Sequence, residues 1–319
     1  MNLDDINVEK ELKIIFMGTP EFSVPVLESL IQNYKVKAVV TQSDKEVGRG
    51  GKIIFSPVKK CAMDHTILVL QPKKIKEIVP EIIAMEPDLI ITCAYGQFIP
   101  PEILRCARLG CINVHASLLP KYRGGAPIHR AIMSGAKKTG ITIMYMNSEL
   151  DAGDIISQAE VDITETDTAS TLHDKLKDLW AKLLMDTLPS IIDGTCTRTP
   201  QDKSQVSYAF VITRNDEKIS FDKTKREIYN QIRGLNSWPG SYCTLDEKIL
   251  KVWEARISEN FFPGKFNGEI TAIYDDGIGV KVENGEIVLT KIQMEGKRAI
   301  NARDFVNGYH EDLVGKILR

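Results

Sequence analysis

Several things are missing from this sequence. Its 319 residues contain no run of 18 or more apolar side chains, so no membrane span is expected. Six cysteines (Cys61, Cys93, Cys106, Cys111, Cys196, Cys243) form no CxxC pair, and five histidines form no HxxxH. That scatter offers no zinc-binding spacing, and no metal is expected. Neither sign of charge dominates. At a net −2 the chain lacks the basic balance common in nucleic-acid binders, so any such role has to come from local clusters. The opening stretch, MNLDDINVEKELK, has neither the basic start nor the apolar centre of a signal peptide. With cysteines scattered among apolar neighbours, a reducing cytoplasm is the expected compartment.

Familiar ligand loops are missing too. The turn after the first apolar run carries Gly18-Thr-Pro-Glu-Phe22 rather than three spaced glycines. Glu21 would set a negative charge where a pyrophosphate sits, which argues against NAD or FAD. Gly48-Arg-Gly-Gly-Lys52 does not have the spacing of a phosphate-binding P-loop. Ser117 is not framed as G-x-S-x-G, so no serine nucleophile is expected.

What is present is a globular pattern, 43% hydrophobic and 26% charged, which excludes disorder. Residues 12–17, 35–40, 67–70, 88–93, 111–115 and 141–146 read as strands. Helical spacing separates several of them, at 22–34, 73–85 and 127–134. Ser56-Pro57 reads as an N-cap followed by proline in the first turn. Strands alternating with helices predict an α/β fold, a doubly wound and mostly parallel sheet of Rossmann-like type. Residues 168–190 give the clearest helix, with Leu172, Leu176, Leu179, Trp180, Leu183, Leu184 and Leu188 on one stripe and Leu188-Pro189 expected to end or kink it. Polar, aperiodic residues 194–209 read as a linker. Beyond them come a helix at 223–235 and five short strands with turn signals between them, which suggest a small OB-like β-barrel. The expected organisation is 1–193, a linker at 194–209, and 210–319.

Two short segments could carry chemistry. In Asn113-Val-His115, alternation puts the amide and the imidazole on one side of a strand end. An amide donor beside an acid/base group suits a carbonyl that gains negative charge. Asp151-Ala-Gly-Asp154 follows another strand. The same residues could equally be a hydrogen-bonded structural histidine and an Asx-type turn. Taken together, Asn113, His115 and Asp151 can polarise a carbonyl and move a proton, which points to acyl transfer with no covalent enzyme intermediate.

These segments resemble a known family. The run Asn113-Val-His-Ala-Ser-Leu-Leu-Pro-Lys-Tyr-Arg-Gly-Gly-Ala-Pro127 is similar to the signature of formyltransferases that use 10-formyltetrahydrofolate. Gly140-Ile-Thr-Ile-Met144 with Leu150-Asp-Ala-Gly-Asp154 is similar to their second signature, and Ile14–Phe22 matches as well. The resemblance covers nearly the whole chain. Val40–Lys45, Gly48–Lys52 and Ser56–Lys59, with Asn236–Gly240 and Lys251–Glu254, point to members whose acceptor is initiator methionyl-tRNA. The resemblance implies transfer of the formyl group to the methionyl α-amine. Asn113 and a protonated His115 would stabilise the oxyanion, while Asp151 would orient the imidazole, keep it cationic and relay the amine proton. It also places the folate along Tyr95, Gly96, Ser117, Leu118, Leu119 and Pro120.

Local charge agrees with a tRNA acceptor. Residues 41–60 hold five cations, Lys45, Arg49, Lys52, Lys59 and Lys60, against Asp44 and Glu46. Arg123, with Lys121 and Arg130, follows the Asn113–His115 strand. Such a rim positions phosphates without reading sequence. Lys45, Arg49, Lys52 and Arg123 are the expected tRNA contacts, with Arg49 foremost because glycines flank it. The chain departs from the family at Thr41-Gln-Ser-Asp-Lys45, where Pro and Arg are usual at the third and fifth places, and at Gly51, where a lysine is usual. Sugar-nucleotide N-formyltransferases and formyltetrahydrofolate hydrolases share the Asn, His and Asp set, and Gly48–Lys59 favours tRNA over either alternative. A monomer is expected.

Overall fold

The computed structural model describes residues 12–47 and 52–319. The reading of the N-terminal stretch, the Arg49 expectation and the side chain of Lys52 lie outside them. The described chain separates into two compact units. One comprises residues up to Pro127 with Thr139–Val161 and Asp174–Phe210, and the other Ile128–Lys138, Asp162–His173 and Val211–Arg319.

The first unit is built on β1 (Lys13–Gly18), α1 (Val24–Asn33), β2 (Lys35–Val40), β3 (Lys45–Val47), β4 (Lys52–Ile54), α2 (Pro57–Asp64), β5 (Leu68–Leu70), α3 (Val79–Ala84), β6 (Leu89–Cys93), α4 (Pro101–Cys106) and β7 (Cys111–His115). β8 (Lys138–Tyr145), β9 (Ile155–Asp162) and α6 (Ala169–Ile192) follow α5 (Pro127–Met133), with residues 128–138 and 162–173 belonging to the second unit. Seven strands form one sheet in the order β5-β2-β1-β6-β7-β8-β9. The β1, β2, β5, β6 and β7 pairings are parallel, and β8 joins β7 antiparallel. The central strands are covered on both faces, which is why they read as unbroken apolar runs: all five residues of β6 are buried. Ser56 caps α2 as expected, its hydroxyl accepting from Lys59 N at 3.0 Å.

Three local features were absent from the sequence reading or differ from it. β3 and β4 pair as an antiparallel ladder flanking residues 48–51. β9, missed in the sequence, is an edge strand with no buried residue. Pro189 neither ends nor breaks α6, which continues to Ile192 with the proline on its exposed side. One missing N–H in the last turn is a small loss there. Trp180, on the same helix, is almost wholly buried and meets Phe22 edge-on with centroids 4.4 Å apart.

In the second unit α7 (Lys225–Gly234) opens with a capping box between Thr224 and Glu227. β10 (Ser241–Leu245), β11 (Lys248–Ser258), β12 (Ile270–Tyr274), β13 (Gly277–Val282), β14 (Gly285–Met294), β15 (Ile300–Asn301) and α8 (Ala302–Asn307) follow. The antiparallel order is β10-β11-β14-β13-β12, with β15 beside β14. Residues 316–319 bridge the two edges. Ile270 N donates to Lys316 O and Leu318 N to Gly268 O on one side, while Arg319 and Thr244 exchange backbone bonds on the other. Ile228 and Ile232 of α7 join Leu250, Val252, Val280 and Leu289 in a single core. Among the described residues no helix is long and apolar enough to cross a membrane.

Arg130, expected near the tRNA rim, is engaged inside this unit. Its guanidinium donates to both carboxylate oxygens of Asp216, at 2.8 and 2.9 Å. That pairing, helped by bonds from Thr213, holds the Asp216 carboxyl well below the usual carboxylate range. A depressed acid stabilises the fold above its unfolded value, near 4, and loses that contribution as pH falls toward its folded value. Asp216→Asn should therefore cost about 1 kcal/mol at pH 7. In urea unfolding the gap from the parent protein should narrow as pH drops below about 4. A gap that persists undiminished at pH 3 would contradict this account.

Candidate active site

The carboxyl ends of β1, β6 and β7, with Met144 of the antiparallel β8 and the loop after it, surround a cavity of about 570 Å³, within the range of small-molecule sites. It lies where the strand order turns from β1 toward β2 on one side and β6 on the other, as ligand sites in doubly wound sheets do. Phe22, Ile99, Met144 and Met146 give it apolar walls, and Asn113, His115 and Asp151 all line it.

Each polar group is held by its backbone or its neighbour. Thr92 and Asn113 are register partners across β6 and β7. The Thr92 hydroxyl donates to Asn113 Oδ1 at 2.7 Å, which turns the amide so that Nδ2 is its remaining donor end. His115 is buried, with Nε2 3.0 Å from the Tyr122 carbonyl. A carbonyl only accepts, so Nε2 carries a hydrogen and Nδ1 is the exchangeable position. Nδ1 stands 3.7 Å from Asp151 Oδ2, a charge-pair distance rather than a hydrogen bond. Asp151 Oδ2 instead accepts from Gly124 N at 2.8 Å. The imidazole is thus oriented by Tyr122, and Asp151 faces it across a short gap.

This arrangement rests on unusual backbone. Ala94, Tyr122 and Asp151 all have left-handed φ, at +48°, +60° and +46°. Each such residue costs about 1 kcal/mol or more and persists only when its surroundings demand it. Gly153 has a plain packing reason: a Cβ there would fall 1.8 Å from the Tyr145 carbonyl oxygen. Gly124 lies close under another strand, where a Cβ would meet Ala209 O at 2.8 Å.

The other expected residues divide. Tyr95 and Gly96 line the cavity, but the Tyr95 hydroxyl is buried without a hydrogen bond among the described residues. Tyr95 therefore contributes ring and backbone, and its carbonyl accepts from Thr19 and Gln42. Ser117, Leu118, Leu119 and Pro120 form the turn next to the cavity and are not among the residues that line it. The Ser117 hydroxyl donates to Lys121 O, and its carbonyl accepts from Thr142. Leu119 N donates to Thr142 Oγ1, and Gln158 holds Leu119 O. The turn, with its cis Leu119–Pro120 bond, is a brace behind the site.

Arg123 is buried, and its guanidinium bonds twice to Gln201 Oε1. Lys59 pairs with Asp44 at 2.6 Å, which removes one cation from the rim, whereas Lys45 and Lys121 are exposed. Sequence reasoning missed Thr92, Phe98, Met144 and Met146 in the cavity wall. The strand register, with Thr92 opposite Asn113, was the one available signal. Burial pushes the thiols of Cys61 up to about 11 and of Cys93 and Cys243 to about 12, leaving them inert.

Residues 12–188 match the family model described as formyl transferase, and 211–310 the one described as formyl transferase, C-terminal domain. A methionyl-tRNA formyltransferase of Listeria monocytogenes (strain HCC23) is 49% identical over 306 residues, covering 94% of this chain and 97% of that one. That of Bacillus subtilis (strain 168) is 48% identical over 302 residues, covering 93% and 95%. Among solved structures, an N-formyltransferase from Helicobacter canadensis, in complex with folinic acid and dTDP-3-aminofucose, gives a TM-score of 0.67 at 21% identity over 89% of this chain and 99% of that one. HypX from Aquifex aeolicus, in complex with tetrahydrofolic acid, gives 0.62 at 14% identity over 93% of this chain and 47% of that one. At those identities the likeness is one of fold. Two family models and near-full-length relatives at almost half identity agree: the chain belongs to the formyl transferases, in the methionyl-tRNA formyltransferase family.

Proposed function

We propose that this protein transfers the formyl group of 10-formyltetrahydrofolate to the α-amine of methionine on initiator tRNA, acting as a monomer in the cytoplasm. Near-full-length similarity to methionyl-tRNA formyltransferases carries the substrate choice. The cavity supports the chemistry. Its apolar walls suit a flat, partly aromatic folate.

The neutral amine attacks the formyl carbon, and the carbonyl oxygen takes the charge. Asn113 Nδ2 donates to that oxygen, held in aim by Thr92. His115 Nδ1 accepts the proton shed by the amine, since Nε2 is already committed to Tyr122. The imidazolium so formed faces the Asp151 carboxylate across 3.7 Å. That proton then passes to the departing folate nitrogen. Holding both substrates in line supplies a large share of the acceleration, and the fixed dipoles supply more.

Asn113→Ala should lower kcat by about 100- to 1000-fold with little change in folate affinity. Asp151→Asn can keep the left-handed backbone and the bond from Gly124, so it should fold normally. It too should lose about 100-fold or more in kcat. Thr92→Val keeps the volume of the side chain and removes the hydroxyl that aims Asn113. It should cost about 10-fold in kcat with KM unchanged, and Thr92→Ser should recover most of it. Wild-type turnover in Thr92→Val would remove the positioning role. The founding assay mixes protein, 10-formyltetrahydrofolate and initiator methionyl-tRNA and looks for formylmethionine, with an amino-sugar nucleotide as the competing acceptor. Formylation of the sugar alone would overturn the acceptor assignment.

A further inference from the structure

The strip at the end of the expected linker carries an unassigned surface. Tyr208 and Phe210 are two residues apart on extended chain, so their side chains leave the same face. Ala209 between them is fully buried. The two rings stack face to face, with centroids 5.4 Å and planes 3° apart. Both remain largely in solvent, at 55% and 63% exposure.

The strip is firmly tied down. Arg123 N donates to Ser207 O at 2.9 Å and Ala209 N to Arg123 O at 2.6 Å. Ala126 N donates to Ala209 O at 2.9 Å, and Tyr122 N to Ser207 Oγ at 2.9 Å. Tyr208 is the bridge partner of Arg123. Paired strands run about 4.8 Å apart. The rings therefore rise one strand away from Tyr122, whose carbonyl holds His115, and Gly124, whose amide holds Asp151.

We propose that Tyr208 and Phe210 are a stacking platform for an unpaired base at the 3′ end of the aminoacyl-tRNA. This rests on the functional reading above. An aminoacyl ester sits on a single-stranded tail, and single-stranded RNA is bound chiefly by stacking bases on aromatic rings. A pair of parallel, solvated rings extends such a stack without reading base identity. Lys121, exposed on the same loop, supplies a charge for the adjoining phosphate.

The test compares wild type, the Tyr208→Ala/Phe210→Ala double variant and the ring-keeping Tyr208→Phe/Phe210→Tyr double variant. With initiator methionyl-tRNA, the alanine variant should raise KM by about 5- to 150-fold. Its kcat should stay within about threefold of wild type, as expected when binding shared by ground and transition states is removed, and folate affinity should not move. The ring-keeping variant should behave as wild type. Acceptors carrying an abasic site at each of the last four nucleotides complete a double-mutant cycle. At one position the abasic acceptor should lose affinity on wild type and nothing further on the alanine variant. An unchanged KM in the alanine variant, full additivity at all four positions, or weakened folate binding in place of tRNA binding would each overturn the platform. Failure of the wild-type protein to formylate the tRNA at all would instead overturn the functional reading beneath it.

Discussion

The bond from Gly124 N to Asp151 Oδ2 joins the loop after β7 to the loop after β8. The same loop presents the Tyr122 carbonyl that fixes His115. Two polar side chains from different strands thereby share one short piece of backbone as their reference. Their 3.7 Å separation follows from that piece, with no direct bond between them. A gap of this kind leaves Nδ1 available to a reacting group, which a tight His–Asp hydrogen bond would not. The cost is left-handed backbone at both Tyr122 and Asp151, and the surrounding strands are what make that conformation stay.

Those strands are held in their turn by side chains that never face the cavity. Thr142 and Gln158 grip the turn at 117–119, and Arg123 reaches Gln201, whose amide donates to the carbonyls of Asp151 and Gly153. The loops that line the cavity are therefore clamped from behind by a polar network. Such networks raise the penalty for any single broken member, because an unpaired group is then left in a low-dielectric surround.

The sheet and the three polar residues were legible because each had a local signature. Buried parallel strands read as apolar runs, and the i, i+2 spacing of Asn113 and His115 is enough to give them a shared side of one strand. What was not legible was long-range. The roles of Ser117 to Pro120 depend on Thr142 and Gln158, some 20 to 40 residues on, and no spacing within the turn reveals that its polar groups face inward. Arg123 looked like a rim cation because its neighbours are glycines and a lysine, while its partner, Gln201, lies in a segment with no periodicity at all. β9 is an edge strand with no buried residue, so its weak alternation of Ala159 and Val161 with Gln158, Glu160 and Asp162 gave no apolar run to mark it.

The family match for the catalytic region stops at residue 188. The strip that steadies the loop at 122–126 comes from 201–210. A piece cut at the end of the matched region would retain every residue lining the cavity and still lose the outer rail that holds two of them in register. In this fold the boundary of the recognisable domain and the boundary of the backbone that holds its cavity together are different places along the chain.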